Sequence, residues 1–212
     1  LDLKDLYWGI GLILWVGFVT LYVSKLIASR SNTYIARKSI HILAGGVVAL
    51  ISPFVLSSPL IPLASSYALT LYLVVRGLKG KRYGWFQEEG NYGEIFFTFS
   101  YGTLLLVFWT FRPHFWETSY KWLALTPIMF MSFGDGVTGI VRNFVYRRRV
   151  KGFWGSMAML AVCLIIGYST TGLSGVISAV VATVAEVLPN IDDNLSVPFL
   201  SALVLFLAHQ AL

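Results

Sequence analysis

Apolar stretches long enough to cross a lipid bilayer recur along the whole chain, and this recurrence limits the fold more than any single motif. A helix needs about 20 residues to span the roughly 30 Å hydrocarbon core, fewer where it is tilted or buried among neighbours. Candidate spans lie at 6–28, 39–56, 59–76, 94–111, 122–143, 156–171, 174–188 and 197–212. The last three are short and contain glycine or serine, so the count is seven or eight. Backbone groups in lipid must be satisfied within their own segment, and no ten-residue alternating pattern of a barrel appears, so the expected fold is all-α and polytopic. The chain is 57% hydrophobic and only 12% charged, against about a quarter charged in soluble domains, which excludes an ordinary soluble protein. With the apolar excess spread evenly and the longest polar stretch running only from Gly77 to Gly93, residues 1–212 are expected to form one membrane-embedded domain. The first span follows Asp2 and Asp5 and has no small-residue cleavage site, so it reads as a retained helix. The single cysteine, Cys163, excludes an internal disulfide and a Cys-rich metal site.

The net charge is +6, but the distribution of the sixteen Lys and Arg is more informative than their sum. Lys25, Arg30, Arg37 and Lys38 flank the first connection of the eight-span topology. Arg76, Lys79, Lys81 and Arg82 flank the third, and Arg142, Arg147, Arg148, Arg149 and Lys151 the fifth. Only Lys4, Arg112 and Lys121 fall on the other side. The positive-inside rule then makes the basic connections cytoplasmic and puts both ends of the chain outside. For Arg147 to Arg149, orientation alone is an equally good explanation.

A charge at the bilayer centre costs about 2.5–3.5 kcal/mol on insertion scales, so ionisable residues beside apolar runs are functional candidates by default. They are His41, Glu94, Asp135, Glu186 and the Asp192-Asp193-Asn194 cluster, each expected near the end of a span on the basic side. Acidic residues contribute little to orientation, so their gathering among Lys and Arg needs a further reason. Carboxylates with Lys and Arg suit a nucleotide polyphosphate: the acids hold Mg²⁺ and the bases neutralise phosphate. Gly134, Gly136 and Gly139 let backbone or ligand approach Asp135, although glycines in membrane helices also serve helix packing. Asp135 and Arg142 share a helix face, and Arg37 stacks with His41 while Lys38 lies beside them. His41 among apolar residues also fits a hydrogen-bonded core position. Pro189 breaks the helix that carries Glu186, and Asp193 or Asn194 can cap the next one. Lys151 followed by Gly155-Ser156 at a span start offers free N–H groups to an anion. The usual G-x-x-x-x-G-K-[ST], G-x-G-x-x-G and H-E-x-x-H signatures are absent. Trp85, Phe96, Phe97, Trp109, Trp116 and Trp122 sit where interfacial aromatic belts occur.

Together, Arg37-Lys38-x-x-His41, Gly93-Glu94, Gly134-Asp135-Gly136, Lys151 with Gly155-Ser156, and Glu186-Val-Leu-Pro-Asn-Ile-Asp-Asp-Asn-Leu-Ser-Val-Pro198 resemble the CTP-dependent polyprenol kinase family. That family includes dolichol kinase, phytol kinase and CTP-dependent diacylglycerol kinase. The resemblance spans residues 37 to 198 in order, and the last segment matches the family's Glu, Pro, Asp-Asn-Leu-Thr-Val-Pro arrangement most closely. Arg142 stands where the family tends to have glycine, and Trp154 where it often has Glu.

What the resemblance implies is transfer of the CTP γ-phosphoryl group to the hydroxyl of a membrane lipid alcohol. Mg²⁺ would be held by Asp135, Asp192 and Asp193, with Glu186 joining them or taking the alcohol proton, and with His41 as the other base. Arg37, Lys38, Arg142 and Lys151 would clamp the triphosphate, with Gly155, Ser156 and Asn194 beside it, and Glu94 would belong to the same site. The partners implied are CTP, a lipid alcohol and the bilayer, with no nucleic acid. The alcohol should enter sideways from the membrane. The CDP-diacylglycerol synthases share the general look of these motifs, so a cytidylyltransferase acting on a lipid phosphate is the enzymatic alternative. A small proton- or cation-coupled transporter is the non-enzymatic one.

Overall fold

The structure is a computed structural model that describes residues 2–147 and 150–211. Arg148 and Arg149 of the basic connection lie outside the described residues. Among those described the chain is helical and has no strand. Seven helices are long and apolar enough to cross a membrane: α1 (Leu3–Arg30), α2 (Thr33–Val55), α3 (Leu60–Leu78), α4 (Gly93–Phe111), α5 (Lys121–Tyr146), α6 (Phe153–Thr171) and α8 (Asp193–Ala211). Between the last two lies the shorter α7 (Leu173–Glu186), also apolar. The protein is a polytopic membrane protein of the all-α class, and each expected span corresponds to one helix.

Successive helices run in alternate directions, so the connections after α1, α3, α5 and α7 meet at one end of the bundle. Asn32 Nδ2 donates to Asn143 Oδ1 there, and Lys151 Nζ donates to Leu188 O. We call this end the basic face. At the opposite end, Ser57 donates to the buried carboxylate of Asp5 through its backbone N–H (2.8 Å) and its hydroxyl, which ties the start of α1 to the α2–α3 turn.

α8 begins at Asp193, four residues before the expected boundary. Asp192 is the cap: its Oδ1 accepts the backbone N–H of Asn194 at 2.9 Å. The structure therefore corrects the expectation that Asp193 or Asn194 caps. Pro198 sits inside this helix, and its missing N–H leaves the carbonyl of Asn194 without the usual partner. Ser100 Oγ of α4 fills that vacancy at 2.7 Å.

α5 is the central helix. Leu123, Ala124, Leu125, Ile128, Met129, Phe130 and Met131 are all inaccessible or nearly so, enclosed by α2, α4, α6 and α8. Gly134 takes the thiol of buried Cys163 on α6, since a Cβ there would stand 2.6 Å from Sγ. α6 and α7 cross so closely at Gly167 and Gly175 that each glycine's missing Cβ is replaced by the other's backbone carbonyl. Packing of this kind holds membrane helices together because lipid is as apolar as Leu and gives little hydrophobic drive between them. Two of the expected belt aromatics belong to the core instead: Phe97 is buried, and buried Trp116 donates its indole N–H to Leu56 O at 2.9 Å.

α1 is held differently. Most of its side chains face outward, and it touches the rest at a few points: Gly9 against Ile61, Trp15 Nε1 donating to Leu43 O (2.7 Å), and Trp85 Nε1 donating to Ser24 Oγ (3.0 Å). Trp85 belongs to the α3–α4 loop, where Tyr83, Trp85 and Phe86 pack ring against ring. The loop turns at Gly80 and Gly90, both with positive φ.

Candidate functional site

Asp135 follows directly on a π-helical turn, Phe130–Gly134, and His41 opens another, His41–Gly46 in α2. Such turns rotate the side chains that follow them and occur often at functional sites. Here they aim two polar residues of neighbouring helices at each other. α2 and α5 approach closely because Gly136 and Gly139 carry no side chain. A Cβ on Gly136 would lie 2.5 Å from Ile42 Cγ1, and one on Gly139 would lie 2.7 Å from Lys38 Cε. The Lys38 stem thus lies over Gly139, and its Nζ reaches both carboxylate oxygens of Asp135, at 2.6 and 2.5 Å. His41 Nδ1 stands 3.4 Å from Asp135 Oδ2. All three side chains are buried.

One helix turn pair further along α5, Arg142 donates through both terminal nitrogens to the two oxygens of Glu186, the Nη2 to Oε2 bond being 2.9 Å. Both residues are buried. Gly155 makes this possible, because the Arg142 side chain occupies the space a Cβ would fill. Asp193 completes the group: its carboxylate is 3.8 Å from Lys38 Nζ and is 28% exposed, the most open of the three acids. Asn194 Nδ2 bridges Asp192 and Asp193, at 2.8 and 3.1 Å.

Asp135, Glu186 and Asp193 can each offer a carboxylate oxygen with all three atoms within 4.8 Å of one another. Three acids converge on two buried cations, and Asp193, the most open acid, is the one that accepts no hydrogen bond from either. Hard oxygen donors of this kind fit Mg²⁺, which takes one or two carboxylates and completes its shell with water or phosphate oxygens. Glu186, expected to join the metal ligands or to act as base, lies with Asp135 and Asp193, while Asp192 Oδ1 accepts the Asn194 N–H that caps α8.

Other expectations are corrected as well. Lys38 and Arg142 are not free clamps: each is buried against a carboxylate, because a cation at this depth needs a paired anion. Gly155 and Ser156 do not offer open N–H groups, since both donate to Gly152 O, at 3.1 and 3.3 Å, and the N–H of Trp154 is taken by Tyr146 Oη. Lys151 is exposed, and its Nζ is hydrogen-bonded to Leu188 O, two residues beyond Glu186. Asp135 also lies deeper than the rim. It opens the final twelve residues of α5, about 16 Å of helix from the basic end.

On the other side of His41 lies a feature that hydropathy does not reveal, an elongated cavity of about 420 Å³ between α1, α2, α3 and α4. Its lining on α3 runs from Ile61 to Leu73, about 18 Å of helix. Arg37, His41 and Glu94 border its basic end, with Tyr83 and Phe86 of the loop. Arg37 and Lys38, adjacent in sequence, thus face different places: Lys38 the carboxylates, Arg37 the cavity. Gln87 Nε2 donates to Glu94 Oε1 at 2.7 Å, while Glu94 Oε2, Arg37 Nη1 and His41 Nε2 are buried without a hydrogen-bond partner.

Comparison of the chain with models of known families, with curated proteins and with solved structures returns no match in any of the three.

Proposed function

We propose that the protein is a CTP-dependent lipid-alcohol kinase, transferring the γ-phosphoryl group of CTP to the hydroxyl of a polyprenol- or dolichol-type alcohol at the cytoplasmic side of the membrane. The observation that carries this is the convergence of Asp135, Glu186 and Asp193, from three helices, on two buried cations. CTP as donor and a lipid alcohol as acceptor follow from the resemblance in the motifs. The cytoplasmic assignment follows from the distribution of Lys and Arg.

Phosphoryl transfer asks for positioning and charge neutralisation more than for covalent chemistry. The alcohol oxygen forms a bond to the γ-phosphorus while the bond from that phosphorus to the β,γ-bridging oxygen breaks. CDP leaves with the electron pair, and the hydroxyl proton passes to a base. Asp135, Asp193 and Glu186 would hold Mg²⁺, whose contribution when bound is to neutralise phosphate oxygens. Lys38 and Arg142 hold two of these acids in place, acting on the reaction through them. Both oxygens of Glu186 are engaged by Arg142, which leaves His41, its Nδ1 3.4 Å from Asp135 and neither ring nitrogen hydrogen-bonded, as the better placed proton acceptor.

Purified protein supplied with γ-labelled CTP, Mg²⁺ and a prenol should place label in the lipid. Label in pyrophosphate, with CMP joined to a lipid phosphate, would instead establish the cytidylyltransferase. Asp193→Asn should remove turnover at least a hundredfold while leaving the protein folded, because this acid is the one not enclosed by a cation. Unchanged turnover would end the metal assignment.

A further inference from the structure

The cavity beside His41 has a chemistry of its own. Its walls are almost wholly apolar along α1 and α3, with Leu12, Val16, Ile61 and Leu69 among them, whereas its basic end gathers Arg37, His41 and Glu94. A volume of about 420 Å³ is in the range of small-molecule sites, which run from about 300 to 1,000 Å³. A buried polar atom without a partner costs about 1–3 kcal/mol, and Arg37 Nη1, His41 Nε2 and Glu94 Oε2 are such atoms on residues that line this cavity near the start of α2 and α4. His41 is 97% buried in this position. Together they require a ligand group that both donates and accepts. Arg37 Nη1 can only donate and ionised Glu94 only accept, while an imidazole nitrogen serves either way. A hydroxyl, with one proton to give and two lone pairs, has the donor and acceptor capacity for all three. A phosphate has no proton to give Glu94 and is repelled by its charge.

We propose that this cavity is the acceptor site and takes one linear long-chain alcohol, its hydroxyl among Arg37, His41 and Glu94 and its tail running between α1 and α3. The assignment rests on the phosphotransfer reading only for what happens to the hydroxyl afterwards. The single imidazole of His41 then separates the alcohol from Asp135, which stands 3.4 Å from its other nitrogen. The sparse contacts of α1 supply the entry, because a tail already dissolved in the bilayer needs only to pass between two helices. Gly17 borders the cavity from α1, and a Cβ added there meets nothing within 4 Å, so α1 leaves space that a chain can fill.

The test is equilibrium binding of a tritiated C20 prenol to the detergent-purified full chain without nucleotide. Gly17→Phe, which projects a ring into the cavity, should weaken saturable binding at least tenfold, and Glu94→Ala should weaken it comparably from the other end. Val162→Phe fills a separate apolar groove lined by Leu50, Trp122 and Ile165 on the far side of α2 and should leave binding unchanged. Gly17→Leu, a smaller intrusion, should give an intermediate loss and guards against misfolding of the Phe variant. Unchanged binding in folded Gly17→Phe would overturn the proposal. So would equal affinity for a prenyl phosphate, or for a glycerol lipid with two tails of the same length. The two assignments fail separately: binding that depends on Gly17 without any transfer from CTP supports the cavity and removes the kinase. Transfer with an unaltered KM for the prenol in Gly17→Phe removes the cavity and leaves the kinase.

Discussion

The bundle has two halves that meet at His41 and are built on opposite principles. Around α5 the helices are pressed together over glycines, and two buried charge pairs form, Lys38 on Asp135 and Arg142 on Glu186. Around α1 the helices enclose a cavity with a largely apolar wall, and Arg37 Nη1, His41 Nε2 and Glu94 Oε2 beside it are left without partners. Close packing fixes carboxylates to within a fraction of an ångström, as a charged reaction centre requires. Loose packing leaves room for a flexible chain. The difference also predicts where the protein is fragile.

The largest contrast should come from the buried pair. Asp135→Asn leaves enclosed Lys38 with only the more open Asp193, 3.8 Å away, as counter-charge, and breaking a buried pair from one side costs about 3–5 kcal/mol. Labelling of buried Cys163 by a thiol-reactive dye on heating reads this directly, since the thiol is inaccessible in the folded state. The midpoint should fall steeply in Asp135→Asn and recover most of the way in the apolar double variant Lys38→Met with Asp135→Leu, which should still transfer no phosphate. A double variant as unstable as the single one would mean that the pair is not the source of the loss.

A smaller contrast separates apolar side chains of the two halves. Leu125 is fully enclosed on α5, and Leu125→Ala should cost about 2 kcal/mol, the low end for such truncations because lipid supplies little of the transfer term. Val16 borders the cavity from α1, and Val16→Ala should stay within about 0.5 kcal/mol. Equal losses in the same heating assay would show that α1 packs as tightly as α5.

How much of this was legible in the sequence follows from the same division. The spans could be read because hydropathy is local. The start of α8 could not, because it depends on Ser100 of another helix supplying the hydrogen bond that Pro198 cannot. The gathering of acids and bases at one end was legible from the alternation of spans. Which acid meets which base was not: Lys38 and Asp135 are 97 positions apart, and nothing in either segment excludes Arg37, the next residue, as the partner. Asp192 and Asp193 look equivalent as letters, yet one caps a helix and the other faces Lys38. Glu94 and Arg37 stood out as polar residues in apolar context, but the cavity between them is defined by what α1 does not touch, and a linear sequence carries no signal for that.

A further contrast is between two glycines. Gly136 lies where α2 crosses α5, and its Cβ would collide with Ile42, so Gly136→Ala must push the helices apart or force Ile42 off its rotamer, at about 1–3 kcal/mol. Gly17 faces open space, and there the same substitution removes only the entropic weakness of glycine in a helix, worth up to about 1 kcal/mol in water and less in lipid, where the helix is held by its own hydrogen bonds. Gly136→Ala should therefore lower the midpoint of Cys163 labelling, and Gly17→Ala should leave it unchanged or raise it slightly. A fall with Gly17→Ala would mean that the gap beside α1 closes in the membrane, and the loosely packed half would then have no room for a tail.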